Sequence, residues 1–329
     1  MSKTVVGLML IDAPHSALNN AGSDAGDRTD NIVRIKSIRK GNKVYPYVSG
    51  QALRYWWRTT LEDKFNWKMS PINRDKKIAF TDANPIEYDD DDVFGYMRAL
   101  KKNEGGTVTR ISPLKNSPLV SAIAQYPTQD FGVMARHEGD PVPYEHEFYS
   151  TVLKGIFSID LASLGKFYKN EKTGYRNVHP KLEELAKEKN MTISEDYLIM
   201  DKETRIKRTQ DIINALPYLY GGAKNTSHLT DVTPKFIILV AIDGGNHIFM
   251  NMIREENNEL IVDIDALKEI LDDYEDVLES DIYIGINKGF LKEIQEDLNK
   301  FAESNGKIHI GSIKEITDRF SEKIPELIE

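Results

Sequence analysis

Three aspartates, Asp24, Asp27 and Asp30, stand three apart around Arg28 in a loop of small residues. Beside an RNA strand, a carboxylate there could orient a 2′-hydroxyl or hold a divalent ion. That would give metal-dependent endonuclease chemistry. Turn capping and pairing with Arg28 is the commoner use of such a pattern, and the rest of the chain favours it. There is no cysteine, and none of the seven histidines pairs with another at metal-ligand spacing. Glu145-His146-Glu147 is not the HExxH pattern of a zinc protease. Gly221-Gly222-Ala223-Lys224-Asn225-Thr226 lacks phosphate-loop spacing and precedes an apolar strand rather than a helix. No catalytic residue, metal or cofactor is expected.

Binding chemistry is more legible. From Asn19 to Arg58 the chain reads NNAGSDAGDRTDNIVRIKSIRKGNKVYPYVSGQALRYWWR. A loop comes first, then cations such as Lys36 spaced along extended chain, then a turn at Lys40-Gly41-Asn42. Ser49 then caps a helix over Gly50 to Leu61. Gln51, Arg54 and Arg58 recur at spacings of three and four and so share one helix face. The start of that helix adds free N–H groups and a partial positive charge. Further on, the Gly221-Gly222 loop offers exposed amides and Lys224. Together these suit a phosphodiester backbone. The adjacent Trp56 and Trp57 are expected in the core.

Elements able to position these groups can be read in order. Val5 to Ile11 and Lys235 to Ile242 are apolar runs of strand length, expected to be buried. A hairpin is expected over Asn31 to Val48, with Pro46 marking an edge. Thr107 to Ile111 and Glu147 to Leu161 read as further strands, and Glu203 to Leu219 as an amphipathic helix. Strand, helix, strand, strand, helix, strand is the ferredoxin-like order, with helices on one face of the sheet. The fold class is therefore α+β, an RRM-like palm with large insertions. The palm is expected over 1–61, 147–162 and 204–253. A finger insertion should fill 62–146, a thumb-type arm 163–203, and an acidic α/β extension 254–329. Within the finger, Asp89 to Asp92 read as a solvated acidic loop, and Gly244-Gly245-Asn246 as a turn into a partner strand over Ile248 to Ile253.

The net charge of -9 argues against nucleic acid until its distribution is seen. From Arg28 to Lys77 there are thirteen Lys and Arg against four Asp and Glu; from Ile253 to Glu329 there are nine against twenty-one. A basic block can grip phosphate while an acidic one supports solubility or meets a basic partner. No run of eighteen apolar residues suggests a membrane span. The N-terminal MSKTVVGLML turns polar and acidic at Asp12, too soon for a signal peptide, and a cysteine-free chain fits the cytoplasm.

LNNAGSDAGDRTDN, YPYVSGQALRYWWRTTL, RISPLKNSPL and LPYLYGGAKNTSHLTDVTP together resemble the DevR family, over roughly Val5 to Ile242. Members form the repeated backbone of type I CRISPR surveillance complexes, here of subtype I-B. The resemblance implies a palm with finger and thumb, copies side by side along one CRISPR RNA, and other Cascade subunits as partners. Each thumb would displace a nucleotide, leaving the bases between free to pair with target DNA. By position, Asn20, Arg28, Lys36, Gln51, Arg54, Arg58 and Lys115 would contact the guide, with Gly221, Gly222, Lys224 and Asn225 as the glycine loop beside it. Related type III subunits cut RNA with an aspartate in the first loop, where Asp27 lies; no such activity is expected here. A backbone that accepts any spacer must hold phosphate and sugar and leave base edges free.

Overall fold

The computed structural model describes residues 3–22, 32–101, 106–169, 176–189 and 191–329. A large mixed sheet runs through it. At its centre lies β1 (Lys3–Ser16), flanked by β2 (Val142–Asp160) and β3 (Phe236–Asp243), antiparallel to both. Beyond β3 come β4 (Ile282–Ile286), antiparallel to it, and a parallel edge strand, Ile308–Gly311. On the other side of β2 come Leu119–Ser121 and then the hairpin of Ser37–Lys40 with Lys43–Val48.

β1 is apolar along nearly its whole length because the sheet is covered on both faces. Val5, Met9 and Ile11 point to one layer; Val6, Leu8 and Leu10 point to the other. Gly7 leaves room for a neighbour on β2, since a Cβ there would lie 2.2 Å from the Phe157 ring. The first layer holds α1 (Gly50–Phe65) and α2 (Lys202–Asn214), where the buried Trp57 donates its indole N–H to the Ile212 carbonyl at 3.0 Å. The second layer is built by the acidic C-terminal segment. Leu267 and Leu271 of the Ile264–Asp273 helix and Leu298 of the Lys292–Ser304 helix pack under β1 and β3. Helices thus cover both faces rather than one, and residues 254–329 are part of the core.

Several expectations are corrected. Val108–Arg110 is a strand, but it pairs with Tyr96–Arg98 in a separate ribbon. In the large sheet, Leu114–Asn116 and Leu119–Ser121 are the segments hydrogen-bonded to β2 instead. No partner strand covers Ile248 to Ile253; Ile253–Glu256 instead pairs with Glu259–Val262, and β3 takes β1 and β4 as neighbours. α2 ends at Asn214, short of the expected Leu219, and Leu216–Tyr218 follows as a 3₁₀ turn.

The described part of the 163–203 segment is packed, not protruding. Its three short strands and the Pro180–Glu188 helix enclose Phe167, Val178, Leu182 and Leu198. The element that projects is a β-ribbon, Thr128–Met134 paired with the start of β2 from Val142 to Phe148. Phe131, Val133, Met134, Val142 and Tyr144 are exposed along it.

The four-aspartate run is not a solvated loop. It forms a short helix, Asp89–Phe94, with Asp90, Asp91 and Asp92 buried. Asp92 is fully buried. It accepts from Arg110, from Arg208 at 2.6 Å and from the Gly165 N–H at 3.1 Å. Buried carboxylates persist only when paired in this way. The run therefore fastens the insertion to α2 and to the residues following β2.

Candidate nucleic-acid interface

Leu18 to Asn20, just past β1, is a meeting point for segments distant in sequence. The Leu18 carbonyl accepts from Ala223 N–H at 3.0 Å, which docks the glycine loop. The Asn19 carbonyl accepts from Lys36 N–H at 3.1 Å, and its side-chain oxygen accepts from Ser49 N–H at 2.9 Å. The first loop, the basic strand, the start of α1 and the glycine loop are thereby fixed to one another. Asn20 pairs with Ile35, and its side-chain oxygen is buried with no hydrogen-bond partner among the described residues.

Both glycines are required by this packing. Gly221 has φ +148, and a Cβ there would lie 2.2 Å from the Trp56 ring on α1. Gly222 has φ +103 and would place its Cβ 2.5 Å from Leu18. Only glycine combines those backbone angles with such close approach. The loop then turns outward, leaving Lys224 and Asn225 exposed at the start of a short helical turn, Asn225–His228. Gln51 is exposed in the first turn of α1, which Ser49 caps by accepting from Ala52 N–H at 3.3 Å.

Arg54 and Arg58 do not join this surface. Arg54 donates to the carbonyls of Leu114 at 2.8 Å and Phe94 at 2.6 Å, to Ser112 Oγ at 3.0 Å and to Asn116 Oδ1 at 3.2 Å. Burial and then the neighbouring Arg58 charge push its pKa down to about 10. Arg58 lies 3.6 Å from Asp90, and both guanidiniums stack on Phe94. Burial lowers the Arg58 pKa, while Asp90 and Asp91 oppose that shift. These two arginines clamp the insertion onto α1. Burial pushes the Asp90 carboxyl up to about 6 against the Ser70 N–H bond that favours its charged form.

Lys115 is exposed but borders a different depression, beside Arg110, Tyr168 and Asn177. Arg28 and the three loop aspartates fall outside the described residues. Among the described residues no group of three or more His, Cys, Asp or Glu could hold a metal ion.

Spacing alone missed an open cleft of about 800 Å³ next to the meeting point. Its walls are the hairpin, through Ser37, Arg39, Asn42 and Val44, and the base of the ribbon, through Tyr126 and Gln129. Arg34 also lines it, held 3.6 Å from the buried Glu147, whose other oxygen accepts from Ile35 N–H at 3.1 Å. Arg39 and Tyr126 are exposed, so the lining includes a cation and an aromatic side chain. Arg39 was visible in the sequence beside the hairpin turn. Tyr126 comes from a segment that gave no signal of its own.

A cation and an aromatic side chain are groups that can meet a phosphate and a base or sugar face. No helix among the described residues is long and apolar enough to cross a membrane.

Curated protein sequences yield no match. Among solved structures, a chain of a "CRISPR RNA-guided surveillance complex" has the same fold with a TM-score of 0.54 and 10% identity, covering 97% of this chain and 98% of that one. A chain of a "CRISPR RNA-guided surveillance complex, pre-nicking" gives a TM-score of 0.50 and 11% identity, covering 82% and 87%. The family described as "CRISPR-associated negative auto-regulator DevR/Csa2" matches residues 11–257. With most of its length matched, the chain belongs to the CRISPR-associated DevR/Csa2 family.

Proposed function

We propose that this protein is a non-catalytic, guide-RNA-binding backbone subunit of a type I surveillance complex, of subtype I-B. Copies assemble side by side along one CRISPR RNA, with other Cascade subunits, and present the guide to target DNA. The observation that carries this reading is the convergence on Leu18–Asn20. Four segments meet there beside a cleft that offers cations and one aromatic face. None of these groups makes a base-edge code, as a sequence-blind subunit requires.

In this reading the β3-β1-β2 core with Leu114–Ser121 is a ferredoxin-like palm, with α1 and α2 on one face. The finger comprises the segments clamped by Arg54, Arg58 and Asp92. The Thr128–Phe148 ribbon is the thumb that displaces a nucleotide, with its exposed apolar residues at the tip. The contacts assigned to the guide are Asn20, Lys36, Gln51, Gly221, Gly222, Lys224 and Asn225, joined by Arg39 and Tyr126.

Charge reversal of two exposed cations tests it. Arg39→Glu with Lys224→Glu is expected to abolish copurification of short RNA with the assembled complex while leaving the thermal midpoint unchanged. RNA content equal to that of the wild type would remove the site assignment.

A further inference from the structure

We infer that Glu255, in the acidic C-terminal segment, is a positioning residue for RNA binding: it braces the back of the basic hairpin so that the front can line the cleft. The inference rests on the RNA-binding reading above.

Alternation gives the hairpin two faces. Ser37, Arg39 and Val44 share one face and line the cleft. Lys43 and Tyr45 belong to the other, and both are captured by one carboxylate. Lys43 Nζ lies 2.9 Å from Glu255 Oε1, and the Tyr45 hydroxyl donates to Oε2 at 2.9 Å. The Glu255 side chain is only 12% exposed and sits on a strand paired with Glu259–Val262. Lys154 of β2 reaches the Ile253 carbonyl two residues earlier, at 3.4 Å. The brace is thus anchored to the central sheet. On the cleft side, Gln125 N–H donates to the Val44 carbonyl at 2.7 Å, and the Tyr126 hydroxyl bonds the Asn42 carbonyl. Among the described residues the hairpin joins the large sheet only at its Tyr47–Val48 end, so support on both flanks decides where Arg39 stands.

The sign of the effect separates this from simple electrostatics. Removing an acidic side chain beside a cationic hairpin should tighten RNA binding if net charge alone mattered. Bracing predicts the opposite. The test measures binding of a labelled single-stranded RNA to the full-length protein by fluorescence anisotropy, for wild type, Glu255→Ala, Glu255→Gln and Tyr45→Phe. Both Glu255 variants remove the same charge, but glutamine keeps an acceptor for Tyr45. Expected is about tenfold weaker binding for alanine and about threefold for glutamine, the range that loss of one or two charge-assisted bonds covers. Tyr45→Phe should weaken binding in wild type and add nothing in the alanine background. Thermal midpoints within about 2 °C of wild type exclude a general loss of fold. Equal or tighter binding by the alanine variant overturns the brace while leaving RNA binding intact. Absence of RNA binding by the wild type retires both readings together.

Discussion

Replacing Asp92 by asparagine separates a buried ionic hub from a solvated acidic run. Asp92 is fully buried and faces two guanidiniums, Arg110 and Arg208, whose side chains are 2% and 5% exposed. Asparagine keeps the shape and one acceptor oxygen but withdraws the charge that both arginines need. Removing one partner of a buried ion pair costs about 3–5 kcal/mol, because the surviving charge is left uncompensated. The near-isosteric change takes the low end, about 3 kcal/mol. A chain of this length moves about 2 °C per kcal/mol, so the midpoint should fall by about 6 °C. Relief of repulsion with Asp89, Asp90 and Asp91 acts the other way, but a solvated run would give no more than about 0.5 kcal/mol of either sign. Chemical and thermal denaturation of the full chain, with the exposed Asp272→Asn as control, measures the difference. A loss under about 1 kcal/mol for Asp92→Asn would refute the hub and return the run to solvent.

Two further outcomes follow from the same structure. Gly221→Ala combines a strained φ with contact against Trp56, and should destabilise by about 2–4 kcal/mol and loosen RNA binding through the displaced loop, read by denaturation and anisotropy together. Asp90 has its folded pKa raised to about 6, so the folded state holds a proton that the unfolded chain releases near pH 4. Stability should therefore fall as pH rises from about 4 to 6, and Asp90→Asn should flatten that slope in denaturation midpoints measured across the window.

What could be read from the chain, and what could not, divides along physical lines. β1 and β3 announced themselves because strands buried on both faces are continuous apolar runs. α1 did so because its cap and apolar stripe are local. Arg54 shared a helix face with Gln51 as spacing required, but periodicity cannot say what covers a face, and here Phe94 and Leu114 do. The aspartate run looked solvated because its partners lie 18 and 116 residues away. Leu114–Ser121 was missed because Ser117-Pro118 splits it into two three-residue strands. The ribbon was missed because an exposed strand has no buried face to impose alternation. The glycine pair was legible as a loop, while the reason for it, contact with Trp56 and Leu18, belongs to tertiary structure.

The central claim is that cations from separate segments form one trough that holds a sugar-phosphate strand without reading its bases. It is tested most directly by anisotropy titrations of unrelated single-stranded RNA sequences against the wild-type protein over a range of salt. The account predicts affinities within a few-fold of one another, falling steeply with salt, and a shallower salt slope for the Arg39→Glu, Lys224→Glu variant. Binding confined to one sequence, or affinity and slope unchanged in the double variant, would contradict it.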